Sequence, residues 1–130
     1  MTAKIFNLLS LAGFLIATGS ASAEEMTTPL QTVVGFYAAL SSGDGKGSQE
    51  YLVPEKRGRG NFAPSAISEY YRSFAEPLTL LTATSISVDQ VNVHYHYVGP
   101  HGPCDGLATV VVRRVGQRFL VDHIKALTGC

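Results

Sequence analysis

Residues 91–98 read Val-Asn-Val-His-Tyr-His-Tyr-Val, and this strict alternation predicts a β-strand with two unlike faces. Successive side chains of a strand point to opposite sides of its sheet. One predicted face is apolar and aromatic, and it comprises Val91, Val93, Tyr95 and Tyr97. The other face carries Asn92, His94, His96 and Val98. The sheet that contains this strand therefore has an inner side, toward a core, and an outer side.

Helical signals precede this strand. Thr28 and Pro29 open a predicted helix that reaches residue 41 or 42, since a hydroxyl caps the first turn and Pro suits the first helical position. A short second helix is predicted at residues 48–52. A third begins at Pro64 and ends before Pro77.

Strand signals surround and follow the alternating stretch. Further strands are predicted at residues 80–88, 107–115 and 119–127. Gly116 and Gln117 join the last two as a two-residue turn with Gly first. Helices followed by an antiparallel sheet predict an α+β domain whose helices pack against one face of the sheet.

The first 23 residues have the organisation of a signal peptide. Lys4 precedes an apolar run at residues 5–17, which is too short and too interrupted to span a bilayer. An Ala-Ser-Ala site ends at Ala23, so cleavage there leaves residues 24–130 as one domain. The alternative is an uncleaved amphiphilic anchor. One cation and a short core favour the bacterial periplasm, with secretion beyond the envelope as the other destination.

The charge balance narrows the range of partners. The whole chain carries ten basic and ten acidic residues, and without Lys4 the basic residues number nine. A nearly neutral domain does not suit nucleic acid, whose binding requires a basic face. No other run is long enough to span a membrane after signal cleavage.

The two cysteines predict a disulfide. Cys104 and Cys130 are the only cysteines of the chain, and an even pair in an oxidising compartment is typically bridged. The two-residue turn places Val115 and Arg118 opposite each other as the first cross-strand pair of the hairpin. Counting outward from that pair, Cys104 falls opposite Gly129, one residue from Cys130, so the sulfurs are near enough to meet. The alternative is two free thiols.

Residues 33–44 (Val-Val-Gly-Phe-Tyr-Ala-Ala-Leu-Ser-Ser-Gly-Asp) carry a family resemblance, supported by residues 66–71 (Ala-Ile-Ser-Glu-Tyr-Tyr) and 124–127 (Ile-Lys-Ala-Leu). Together with the order of elements, they resemble the nuclear-transport-factor-2-like superfamily, which includes SnoaL-like cyclases, scytalone dehydratase and steroid Δ-isomerases. The resemblance implies a cone: a curved antiparallel sheet wrapped around N-terminal helices, with an apolar pocket inside. It also implies that dimers form through the outer face of the sheet.

The resemblance to steroid isomerases does not extend to their acids. Those enzymes use a Tyr in the first helix and two Asp residues. Tyr37 matches the Tyr, but the proton-transferring Asp falls at Gly60 and the oxyanion-hole Asp at Thr109 or Val111. Isomerase activity is therefore not expected.

A pocket and a catalytic alternative follow from the resemblance. If the last strand faces inward as in those enzymes, Asp122 and Ile124 look into the pocket, opposite Val111 and Thr109. The expected ligand pocket comprises Tyr37, Tyr71, Tyr95, Thr109 and Ile124. A carboxylate on such a wall suits a general base, so Asp122 with Tyr37 is the candidate catalytic pair of a small lyase or isomerase. The other interpretation pairs Asp122 with Arg113 or Arg118.

The histidines offer a metal-site hypothesis. His94 and His96 point to one side of a strand, which is a zinc-ligand arrangement, and His123 is a candidate third ligand. The alternative is that these rings cover an exposed or dimer-contacting surface. No cofactor is predicted.

The leading hypothesis is an exported, non-catalytic domain that binds a small apolar or anionic ligand or a protein partner, through its pocket or its sheet face. Cations of the long loop, Lys56, Arg57 and Arg59, are candidates to guard the pocket mouth; otherwise they are solvated. A third hypothesis, an interaction subunit of an envelope assembly, predicts a closed core and an exposed apolar patch.

Overall fold

A computed structural model of the protein describes residues 27–130. The predicted signal peptide and its cleavage site at Ala23 lie outside these residues. The helices and strands, in chain order, are α1 (Pro29–Ser41), α2 (Gly45–Ser48), α3 (Pro64–Arg72), β1 (Glu76–Ser87), β2 (Gln90–Gly99), β3 (Gly102–Val115) and β4 (Arg118–Thr128). Within the described part of the chain, no helix is long and apolar enough to cross a membrane.

The four strands form one antiparallel sheet in the order β1-β2-β3-β4. Several register shifts interrupt the ladders, and each such irregularity bends a strand and increases its twist. The N-terminal helices pack on the inner side of the curved sheet. The predicted α+β fold, a curved antiparallel sheet around N-terminal helices, is confirmed.

Helix α1 is the main element on the sheet. Thr28 caps it by accepting a hydrogen bond from the Gln31 backbone N–H, and the Gln31 side chain accepts one from the Thr28 N–H in return. Phe36 is fully buried against the inner face. The Thr32 hydroxyl donates to the Phe119 carbonyl at 2.5 Å, which attaches the helix to β4.

The core follows the alternation of β2. Val91 and Val93 are buried, as predicted for the inner face, and they pack with Val110 and Val112 of β3. The His94 and His96 side chains lie on the outer face and are partly exposed. The buried face of β2 and β3 is therefore the side of the sheet that meets the helices.

Three element boundaries differ from the predictions. The second helix begins at Gly45 rather than residue 48, because the Asp44 carboxylate accepts from the Gly47 N–H and starts the turn early. Strand β1 begins at Glu76 and includes Pro77, which an edge strand tolerates. Strand β3 begins at Gly102 instead of residue 107, so it is 14 residues long.

The register between β3 and β4 departs from a simple hairpin. Pairing runs from Val115 with Arg118 to Val112 with Val121, as predicted, but Val111 then pairs with His123. Asp122 is the extra residue of a bulge. A one-residue shift reverses which side chains face inward. The predicted pairings of Asp122 with Val111 and of Ile124 with Thr109 are therefore wrong; Ile124 pairs with Val110.

The predicted disulfide is confirmed. Cys104 and Cys130 are bonded, with their Cα atoms 5.8 Å apart, and the described residues contain no free cysteine. A second register shift, at Leu107 and Thr128, brings the end of β4 to the buried Cys104. The bond ties the last residues of β4 to the start of β3.

We expect removal of this bond to lower the free energy of unfolding. The cysteines are 26 residues apart, and closing a loop of that size stabilises a fold by about 3 to 4 kcal/mol through the unfolded chain. Urea denaturation of the C104A/C130A double variant measures the loss, and the reduced wild type is its control. A loss below about 1 kcal/mol would contradict this role.

Candidate functional site

A cavity of about 250 Å³ lies between the inner face of the sheet and α3. Five tyrosines line it: Tyr37, Tyr70, Tyr71, Tyr95 and Tyr97. Aliphatic side chains and the disulfide complete the wall, namely Leu40, Leu78, Ala108, Ile124, Ala126 and Cys130. None of these lining side chains is charged. The cavity is therefore apolar, with several phenol hydroxyls as its side-chain hydrogen-bonding groups.

The tyrosines come from three elements. Tyr37 lies on α1, Tyr70 and Tyr71 on α3, and Tyr95 and Tyr97 on the inner face of β2. The β2 rings are parallel, with centroids 6.2 Å apart and planes 9° apart, because residues two apart on a strand point the same way.

Two neighbours hold the β2 rings in place. Phe74 stacks on Tyr97 with a centroid distance of 4.3 Å. On β3, Gly106 lies opposite Tyr95, and any Cβ there would clash with the Tyr95 ring. Gly106 thus allows the ring to lie flat on the β3 backbone.

Burial keeps the phenols neutral. It raises the pKa of Tyr37 above the ordinary value of 10.0, and the nearby Tyr71 and Tyr95 phenols raise it further. The pKa of Tyr71 is raised by the same main cause, burial, with smaller effects of neighbouring tyrosines. At physiological pH both groups are hydrogen-bond donors, and neither acts as a base.

The Tyr37 hydroxyl is buried without a hydrogen-bond partner in the described chain. Its side chain is only 5% exposed, and the hydroxyl makes no hydrogen bond to any residue within 27–130. A buried donor without a partner costs about 1 to 3 kcal/mol. A molecule that occupies the cavity and accepts from Tyr37 would remove that cost.

Four of the five predicted pocket residues line the cavity: Tyr37, Tyr71, Tyr95 and Ile124. Thr109 does not. It lies on the outer side of β3, where its hydroxyl donates to the Asn92 side-chain carbonyl at 2.7 Å. The register shift explains this difference, because Ile124 pairs with Val110 instead of Thr109.

The predicted pocket omitted Tyr97, Tyr70 and the disulfide. The alternation of β2 contained the signal for Tyr97, which shares a face with Tyr95. The predicted bond between Cys104 and Cys130 would have indicated that the disulfide forms part of the cavity wall. Tyr70 lines the cavity although its side chain is 52% exposed, and its place there depends on how α3 lies over the sheet, which the spacing alone does not reveal.

Asp122 lies away from the cavity, so the structure does not bring it together with Tyr37. Its Oδ1 accepts from Arg113 at 3.2 Å, and its Oδ2 is 2.7 Å from the Nδ1 of His123. The carboxylate lies on the Arg113 side of the sheet, and the bulge lets Ile124 face the cavity while Asp122 does not. The expectation of an inward carboxylate is corrected, and Asp122 takes the Arg113-paired position that was its other interpretation.

Arg113 also binds Glu55 through two contacts. Its Nη1 is 2.6 Å from Glu55 Oε2, and its Nη2 donates to Oε1 at 2.8 Å. Hydrogen bonding to Arg113 lowers the pKa of Glu55 from 4.5 to about 2. The pair attaches the long loop to the outer side of the β3–β4 hairpin.

The loop cations are not at the cavity. Lys56 donates from Nζ to the Asp122 carbonyl, and the Nε of Arg57 donates to the Leu52 carbonyl at 3.1 Å. Arg59 does not line the cavity either. The expectation that these cations guard the mouth is therefore not met, because the loop packs beside β4, where Leu52 bridges Val121.

The histidines are divided between two places. His96 Nδ1 is 3.3 Å from Asp105 Oδ1, and His94 Nε2 is 4.0 Å from the same oxygen. His123 contacts Asp122 instead. Across residues 27–130, no group of three or more His, Cys, Asp or Glu side chains is arranged to hold a metal ion. The structure does not bring the three candidate ligands together.

No family model and no curated protein matches the chain. Solved structures do match. An uncharacterized cystatin fold protein from Novosphingobium aromaticivorans is 12% identical, over 78% of this chain and 99% of its own, with a TM-score of 0.61. A protein of unknown function with a cystatin-like fold from Methylobium petroleophilum is 14% identical, over 82% and 76%, also with a TM-score of 0.61.

An NTF-2 like protein of unknown function from Shewanella oneidensis is 13% identical over 74% of this chain and 93% of its own, with a TM-score of 0.48. The structural neighbours thus include cystatin-like and NTF-2 like proteins. At these identities the likeness concerns the fold alone. None of the three descriptions names a ligand or a reaction.

We expect the Glu55 titration to depend on Arg113. The folded-state pKa lies below 4.5, so the pair's contribution to stability is present above pH 4.5 and is lost as pH falls through about 2. NMR titration of the Glu55 carboxyl should show a midpoint near 2 in the wild type and a clearly higher midpoint in R113Q, because Arg113 is the largest cause of the lowered pKa. R118Q, on the same hairpin, is the control, and an equal effect of both variants would contradict the assignment.

We expect the buried phenols to destabilise the fold in alkali. The Tyr37 pKa is raised in the folded state, so above pH 10.0 the unfolded chain ionises first and is favoured. Urea denaturation at neutral pH and above pH 10.0 should show a stability loss that is smaller in Y37F. An identical loss in Y37F and wild type would show that Tyr37 is not the group responsible.

Proposed function

We propose that this protein binds a small, neutral, largely apolar ligand in the tyrosine-lined cavity without catalysing a reaction on it. The observation that carries the proposal is the buried Tyr37, which lines the cavity and whose hydroxyl makes no hydrogen bond to a residue of the described chain. A buried donor of this kind is stabilised by a bound acceptor. Functional residues, rather than packing residues, are the ones expected to break the rule of satisfied hydrogen bonds.

The lining defines the chemistry of the ligand. Since no lining side chain is charged, an ionic ligand would lose its hydration without gaining an opposite charge. The volume of about 250 Å³ lies below the range of about 300–1,000 Å³ that suits drug-sized molecules. Parallel rings at Tyr95 and Tyr97 favour a flat molecule. A small aromatic or cyclic compound with one oxygen fits these constraints.

The absence of a base supports binding over catalysis. Asp122, the candidate base, is paired with Arg113 and lies outside the cavity. The phenols are neutral, and the Tyr37 pKa is raised by burial. Proton abstraction requires a group whose pKa is close to the working pH, and no lining side chain supplies one.

We propose that this binding takes place in the bacterial periplasm. The signal-peptide pattern at residues 1–23 supports export. The Cys104–Cys130 disulfide supports it independently, because such bonds persist in oxidising compartments.

The test compares two matched probes, naphthalene and 2-naphthol, by NMR titration. Both should shift the resonances of the cavity residues, and 2-naphthol should bind about 2- to 10-fold more tightly, because its oxygen accepts from Tyr37. In Y37F the two affinities should become equal. Perturbations outside the cavity, or an unchanged preference in Y37F, would refute the proposal.

A second variant tests the cavity itself. A126F places a ring in the cavity and should weaken both probes by more than about 10-fold, since it occupies the space that they need. K125F is the matched control, because Lys125 pairs with Thr109 on the other side of the same strand. Equal weakening by the two variants would place the probes elsewhere.

A further inference from the structure

Exposed apolar side chains concentrate on two neighbouring elements. Leu30 and Val34 lie one turn apart on α1, Leu81 and Ile86 lie on β1, and Val88 follows in the β1–β2 turn. They are five of the eight large apolar side chains exposed within residues 27–130, so the exposure is not scattered over the surface. Helix α1 packs on β1, which makes the two elements one surface.

This surface carries no charge. Helix α1 (Pro29–Ser41) contains no Asp, Glu, Lys or Arg, and neither do residues 77–88. In a soluble domain, charged side chains normally occupy the exposed face of a helix and the solvent side of an edge strand. Their absence here removes both electrostatic repulsion between copies and attraction to a charged partner.

Strand β1 is an open edge of the sheet. In the described part of the chain it pairs with β2 alone, although it is 12 residues long and rich in Thr, Leu and Ile. Edge strands are usually protected by charged residues, Pro or bulges, and in β1 these lie outside residues 82–85: Glu76 and Pro77 at the start, and a register shift on each side of that stretch. The backbone N–H and C=O groups of its free side therefore need another strand or water.

We propose that β1 is the dimer interface and pairs antiparallel with β1 of a second copy of this chain. A two-fold axis perpendicular to the sheet would join two four-stranded sheets into one of eight strands. Both α1 helices would then lie on the same face, side by side at the junction, with Leu30 and Val34 between them. Such an interface is self-complementary and closes at two copies.

The sequence of β1 suits pairing with itself. When two copies are aligned antiparallel about Ala83, Thr82 of one copy falls opposite Thr84 of the other. Hydroxyl thus meets hydroxyl, which is a favourable cross-strand pair. The regular ladder at residues 82–85, between two register shifts, is the stretch that remains straight enough to pair.

This interface differs from the one that the family resemblance implies. The outer sheet face carries His94, His96, Asp105 and Lys125, so an interface there would be polar and sensitive to salt and pH. The pairing stretch of β1, within residues 77–88, contains no ionic groups. High salt should therefore leave the dimer intact.

The test is sedimentation equilibrium of the protein purified from cells that express the whole sequence. The wild type should be a dimer whose dissociation constant is insensitive to salt. L81K and I86K should each raise that constant by more than about 10-fold, because a charge on a free edge opposes pairing. L107K and L127K are matched controls that should have no effect: Leu81 and Ile86 are 48% and 50% exposed, and Leu107 and Leu127 are 42% and 55% exposed.

The helix contribution has its own variant, V34K, which should also favour the monomer. Circular dichroism checks that each variant is folded, and amide hydrogen exchange at residues 82–85 should slow as the wild type dimerises. A wild type that is monomeric at all concentrations would overturn the proposal. So would a dimer that L107K dissociates and I86K does not, or a stable complex with another protein in place of the dimer.

Discussion

The bulge at Asp122 is the constraint on which the rest of the structure depends. Beside it, the loop that follows α2 joins the edge of β4: Leu52 bridges Val121, and the Val53 N–H donates to the Val121 carbonyl. Past this point the ladder resumes with the opposite parity, since one residue has been left out of the pairing. Side chains that a regular hairpin would turn outward therefore turn inward from Ile124 onward.

Two features of the molecule follow from that change of parity. Ile124 and Ala126 become part of the cavity wall, and Lys125, which pairs with Thr109, faces outward. A regular ladder would instead have paired His123 with Val110 and Lys125 with Ala108 on the inner face, where burial would penalise a charge. The bulge thus removes a charged group from the pocket and keeps the pocket neutral.

The three surfaces of the domain differ in physical character. The cavity is apolar with phenol hydroxyls, the outer sheet face is polar with histidines and carboxylates, and the β1–α1 surface is uncharged. A small ligand, water and a second copy of the chain are the respective neighbours that suit these properties. The hypothesis of an interaction subunit of an envelope assembly predicted an exposed apolar patch and a closed core. The structure has the apolar patch together with an open cavity.

Local sequence determined much of this protein. The cap at Thr28, the faces of β2 and the Gly116 turn depend on near neighbours, so their residue types predict them. The disulfide was predictable as well, because Cys104 lies on β3 and Cys130 closely follows the paired strand β4. Only the tertiary structure decided that Ile124 faces the cavity while Thr109 and Asp122 do not. Those outcomes depend on the bulge, and a distant loop packs beside β4 at that point, so strand periodicity alone does not predict them.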